Sequence, residues 1–100
     1  MKIEKNVENN VVTLNVSGKL DTVTAPEFEK VIDEIGEDSN VTVLKIDMKD
    51  LSYASSAGLR AILRAHKLMM TKGSMEVLNV NDLIMEIFEM TGFSDILTIK

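Results

Sequence analysis

Residues 41–63 read VTVLKIDMKDLSYASSAGLRAIL, and the way they are read decides the fold. The first eight alternate as a strand does: Leu44, Ile46 and Met48 point one way, Val43, Lys45 and Asp47 the other. One face is apolar and the other mixed. That suits a sheet covered well on one side and only partly on the other, unlike a doubly wound sheet. At Ser55-Ser56-Ala57-Gly58 the period changes. Leu59, Ile62, Leu63, His66 and Met70 then mark the inner face of a helix that begins at Ala57 and ends near Gly73. Strands separated by helices need crossover connections, so parallel pairs are expected in the centre of the sheet.

Working outward, VENNVVTLNV (7–16) places Asn9 and Asn10, which tolerate positive φ, between two β-prone runs. Val12, Leu14 and Val16 form the more apolar face of the second run. TAPEFEKVIDEIG (24–36) carries helix signals: Thr24 as N-cap with Glu27 three residues on, Pro26 in the first turn and Gly36 as a stop. Phe28, Val31, Ile32 and Ile35 make one apolar stripe. Beyond Gly73, SMEVLNV predicts a short strand. NDLIMEIFEMTG predicts a third helix capped by Asn81, stopped by Gly92 and facing inward with Leu83, Ile84, Ile87 and Phe88. DILTI (95–99) predicts a last short strand. The expected architecture is one α/β domain over residues 1–100, order ββαβαβαβ, with a mixed sheet and its helices mainly on one face.

Composition narrows the function. The chain has 100 residues, 45% of them hydrophobic, enough for a core without staples. The absence of cysteine excludes disulfides, thiolate metal sites and thiol catalysis. The polar start MKIEKNVENN is unlike a signal peptide, and no apolar run approaches a membrane span, so a soluble cytoplasmic protein is expected. A net charge of −5 argues against direct nucleic-acid binding, which needs a positive field. No cofactor motif is present: the SGK tripeptide has no upstream glycine at P-loop spacing.

The serines at 55 and 56 carry two readings. Either can cap the free N–H groups that open a helix. The same position also holds a phosphate comfortably, because a helix N-terminus offers partial positive charge and unsatisfied donors. Arg60, Arg64 and Lys67 follow at i, i+4 and i+7 on the helix's exposed face, either as a solvated face or as part of a partner-docking surface. His66 is the lone histidine. Within one straight helix it stands about 15 Å from Ser56, too far for a serine hydrolase pair. A packing histidine is the expectation. Met69, Met70, Met85 and Met90 cannot all face inward, and some are expected at the surface.

SGKLDTVTAPEFE (17–29) followed by VLKIDMKDLSYASSAGLRAIL (43–63) resembles the STAS domain family, specifically the small bacterial anti-sigma factor antagonists. The resemblance covers essentially the whole chain, including the order of elements. It implies a non-enzymatic regulator that binds an anti-sigma factor/serine kinase and frees a sigma factor. In that family phosphorylation of one serine at a helix start ends the binding, and a phosphatase restores it. The family's Asp-Ser-Ser/Thr-Gly-Leu falls on Ser55-Ser56-Ala57-Gly58-Leu59, which makes Ser56 the phosphorylated residue. Ser55 stands in place of the Asp, and Ala57 in place of the second hydroxyl. Asp21, with Thr22 beside it, matches an acidic position in the loop before the first helix. The implied partner-binding set is Asp21, Thr22, Ser55, Ser56, Ala57, Gly58, Leu59, Arg60 and Arg64. STAS domains also serve as non-catalytic subunits of lipid-transport ABC complexes or in stress-signalling scaffolds, which is the alternative reading.

Overall fold

The computed structural model describes residues 1–100. Strands β1 (Lys2–Glu8) and β2 (Val11–Leu20) form the expected hairpin, with Asn9 at φ 55° in the turn. They are followed by α1 (Ala25–Glu37), β3 (Val43–Asp47), β4 (Leu51–Ala54), α2 (Ser56–Met70), β5 (Ser74–Leu78) and α3 (Asp82–Thr91). β2 is the organising strand. It pairs antiparallel with β1, parallel with β3 along its first half, and parallel with β4 along Gly18 to Leu20. β5 adds to the far side of β3, again parallel.

Alternation sets which face is covered. Val12, Leu14 and Val16 of β2, Leu44 and Ile46 of β3, and Met75 and Val77 of β5 are buried. Thr13, Asn15, Lys45, Asp47 and Glu76 on the opposite face stay half-buried, and Lys45 pairs with Glu76 there at 4.0 Å. Phe28, Ile32 and Ile35 of α1 and Leu59, Ile62 and Met69 of α2 fill the covered side. The mixed α/β class with helices on one face is therefore as expected.

The order of elements differs from the expectation at two places. β4 is an additional strand: four residues in the middle of the 41–63 stretch follow a turn at Lys49 and Asp50 and line up beside β2 across a register shift. Residues 95–99 do not form a strand. Phe93–Asp95 makes a 3-10 turn, and only Ile99 bridges to Val77.

The helices follow their signals with four corrections. Thr24 occupies the N-cap position of α1 without a side-chain capping bond, and α1 runs through Gly36 to Glu37. Gly36 serves packing instead of termination, since a Cβ there would meet the side chain of Leu68 at 2.5 Å. On α2 the buried stripe is Leu59, Ala61, Ile62, Ala65 and Met69, whereas Leu63 and His66 are half-buried and Met70 is 61% exposed. On α3 only Ile84 and Phe88 are buried; Leu83 is half-exposed. Asn81 caps α3 as expected, accepting from the Ile84 amide at 3.0 Å, and its amide nitrogen donates to the Leu51 carbonyl at 2.7 Å. That one side chain starts α3 and fastens it to β4. Gly92 ends the helix at φ 82°.

Candidate functional site

The site lies where β2 and β4 end together. The Ser55 amide donates to the Leu20 carbonyl at 2.9 Å, which brings the start of α2 against the loop that leads into α1. Gly58 allows this approach. A Cβ on it would sit 2.3 Å from the Leu20 oxygen. Gly58 and Leu59 are buried and Ala57 is half-buried, so this part of the turn anchors the helix to the core.

The two serines have separate roles. Ser55 is the N-cap, in extended backbone, and its hydroxyl accepts from the Gly58 amide at 3.3 Å. Serine and aspartate both cap well, which accounts for Ser55 at this position. Ser56 is the first residue of α2, exposed, and the capping bond does not use its hydroxyl. No acidic side chain lies in the first turn of α2. A free hydroxyl at the positive end of a fifteen-residue helix is a favourable place for an added anion.

Asp21 builds the adjoining loop. Its Oδ1 accepts from the Val23 amide at 3.0 Å, the Thr24 amide at 3.1 Å and the Thr24 hydroxyl at 3.2 Å. Thr24 Oγ1 also accepts from the Asp21 amide and donates to the Lys19 carbonyl, so its hydroxyl is spent inside the loop and not on the helix end. The Thr24 amide above all, helped by Val23, the Thr24 hydroxyl and the Lys19 charge, holds the Asp21 carboxyl below its ordinary value of 3.8 against a smaller opposing effect of burial. The loop so shaped presents Thr22 and Val23. Val23 is 85% exposed, a large apolar side chain on the loop that follows Leu20, and charge and motif patterns did not single it out.

The profile of the STAS domain family matches residues 2–100. The chain belongs to the STAS domain family. This STAS domain is 33% identical over 97 residues to the anti-sigma-B factor antagonist of Listeria monocytogenes serovar 1/2a, covering 96% of this chain and 84% of that one. It superposes on the crystal structure of an anti-sigma factor antagonist from Mycobacterium paratuberculosis with a TM-score of 0.87, at 22% identity, over 98% of this chain and 83% of the other. The phosphorylated form of the Bacillus cell fate determinant SpoIIAA shares the fold at a TM-score of 0.77 and 18% identity, over 99% and 91% of the two chains.

The basic stripe of the STAS domain is less uniform than its spacing implied. Arg64 reaches across to α1, where it bonds Glu29 at 3.1 Å and Asp33 at 2.6 Å. Its charge joins two helices, and half of its side chain is covered. Arg60 and Lys67 are exposed and take part in no ion pair of the fold. With Leu63 and Arg64 they line a shallow groove along α2. His66 shares α2 with Ser56 and is half-buried, its Nδ1 enclosed without a hydrogen-bond partner. No group of histidine and acidic side chains gathers to hold a metal ion, and no helix is long and apolar enough to cross a membrane.

Proposed function

We propose that this STAS domain is an anti-sigma factor antagonist. It docks on an anti-sigma factor/serine kinase through the exposed edge of the 55–58 turn, the outer side of α2 and the loop that Asp21 shapes, and so frees a sigma factor for transcription. The kinase moves the γ-phosphoryl group of ATP onto Ser56 Oγ. An O–P bond forms there, ADP leaves, and the hydroxyl proton is lost. A phosphatase hydrolyses that bond and restores the antagonist. No catalytic step falls to this chain.

One observation carries the reading: Ser55 performs the capping, which leaves Ser56 exposed and uncommitted at the helix start. Names of relatives over nearly the full length support the antagonist role. Phosphorylation adds a charge of roughly −1.5 to −2 at that point. The fold tolerates it, because the helix dipole favours an anion there by about 0.3–1 kcal/mol. A docked partner does not, since a buried anion or like-charge contact costs several kcal/mol and each 1.4 kcal/mol is tenfold in affinity.

The test is phosphorylation by the partner kinase with ATP, followed by mapping of the tryptic peptide 50–60, which holds Ser52, Ser55 and Ser56. Phosphate is expected on Ser56 alone. Ser56→Ala abolishes it while binding persists, and Ser56→Asp binds the kinase at least ~10-fold more weakly. Wild-type binding by both variants overturns the switch.

A further inference from the structure

We infer that a phosphate on Ser56 is clamped by Arg60 of the same helix, so that phosphorylation adds an anion to the docking surface and withdraws a cation from it at once. This rests on the Ser56 switch proposed above and concerns how that switch works. Ser56 and Arg60 are both exposed on α2, one turn apart. Residues at i and i+4 have Cβ atoms about 5–6 Å apart. Helical side chains lean toward the N-terminus, which carries the Arg60 guanidinium back over the first turn. The order is the favourable one, with the acidic group N-terminal to the basic group. A guanidinium fork also matches two phosphate oxygens, which an ammonium does not.

The fold keeps Arg60 available for this pairing. Arg64, one turn further on, is held by Glu29 and Asp33 of α1, while Arg60 has no carboxylate within ion-pair distance. The first turn of α2 has no acidic residue to compete. The charged side chains on the adjoining end of β2 and its loop are Lys19 and Asp21, and Asp21 is bonded within its own loop. Before phosphorylation the surface therefore offers an unpaired cation at Arg60. Afterwards the Ser56–Arg60 pair carries a net charge of roughly −0.5 to −1. An acidic group on the partner that faced Arg60 loses its attraction and meets an anion instead.

The experiment uses the full chain with phosphoserine installed at position 56 during translation, independent of any kinase. Phosphorus NMR follows the second ionisation of the phosphate, ordinarily near 6. The midpoint is expected below that in the otherwise native chain. Arg60→Gln should raise it by about 0.5 pH unit or more, Arg60→Lys by less, and Arg64→Gln not at all. An unchanged midpoint in Arg60→Gln, or an equal rise in Arg64→Gln, overturns the clamp. Either result leaves the kinase reaction untouched. Conversely, a chain that no kinase phosphorylates would remove the switch while the titration still reports on the pair.

Discussion

A Cβ atom on Gly58 would stand 2.3 Å from the carbonyl oxygen of Leu20, the same oxygen that accepts the Ser55 amide at 2.9 Å. The first turn of α2 rests directly on the end of β2, and only glycine allows it. Alanine inside a helix ordinarily gains up to about 1 kcal/mol over glycine. Here the obstacle is backbone that is already hydrogen-bonded, so overpacking at ~1–3 kcal/mol outweighs that gain. Gly58→Ala is expected to lower unfolding free energy by about 1–2 kcal/mol in urea titrations. A variant as stable as wild type would show that the contact yields freely.

The division of labour between Ser55 and Ser56 predicts opposite sensitivities. Ser55→Ala removes the cap on the Gly58 amide and should cost about 1 kcal/mol of stability. Ser55→Asp should restore it, since aspartate caps equally well. Ser56→Ala, at an exposed position outside the capping bond, should stay within about 0.5 kcal/mol of wild type. Equal losses at the two positions would mean that Ser56 also holds the fold together.

Much of this was legible in the residues, and the exceptions share causes. The Asn9–Asn10 turn, the α1 stripe and the Asn81 and Gly92 boundaries rest on local chemistry, which a linear reading carries. β4 escaped because Leu51 and Ala54 face inward while Ser52 and Tyr53 both face out. Four residues without alternation, paired across a register shift, leave no period to detect. The inner stripe of α2 was displaced for a different reason. α2 buries small Gly58, Ala61 and Ala65, so bulk alone pointed to Leu63, His66 and Met70. Ser56 and its flanking glycine were visible as a motif. The pairing of Arg64 with Glu29 and Asp33 was not, because it joins residues of separate helices.

The Asp21 carboxylate makes the loop conformation sensitive to acid. Its folded pKa lies below the ordinary 3.8, so its contribution to stability is fully present above that value and is lost as pH falls through the folded one. Above about pH 5 the stability gap between wild type and Asp21→Asn should therefore be constant, and it should shrink on descent through the range below 4. Urea titrations across pH check the gap, and a carboxyl NMR titration with its midpoint below 3.8 checks the cause. A midpoint at or above 3.8 would remove the bonds from Val23 and Thr24 as the force that shapes the loop.

α1 has no basic residue in its own last turn, and the missing cation arrives from Lys72, just beyond α2. Its Nζ donates to the carbonyls of Ile35 at 2.9 Å, Gly36 at 3.2 Å and Asp38 at 2.6 Å. Those carbonyls cluster at the negative end of the helix, where that of Ile35 also accepts the Asp38 amide at 3.2 Å and that of Asp38, the C-cap, the Val41 amide at 3.1 Å. A half-buried ammonium with three such acceptors is worth more than a surface ion pair, because truncation removes three charge-assisted hydrogen bonds together with the charge at the helix end. Lys72→Met is expected to cost about 1–2 kcal/mol in urea titrations. Lys67→Met, which removes an exposed cation with no ion pair, should cost less than about 0.5 kcal/mol. Because α1 and α2 meet where Gly36 lies against Leu68, loss of Lys72 should also speed amide exchange in the last turn of α1 before it affects the Ser56 end of α2. Matching losses for the two lysines would show that the carbonyl cage adds nothing to a solvated charge.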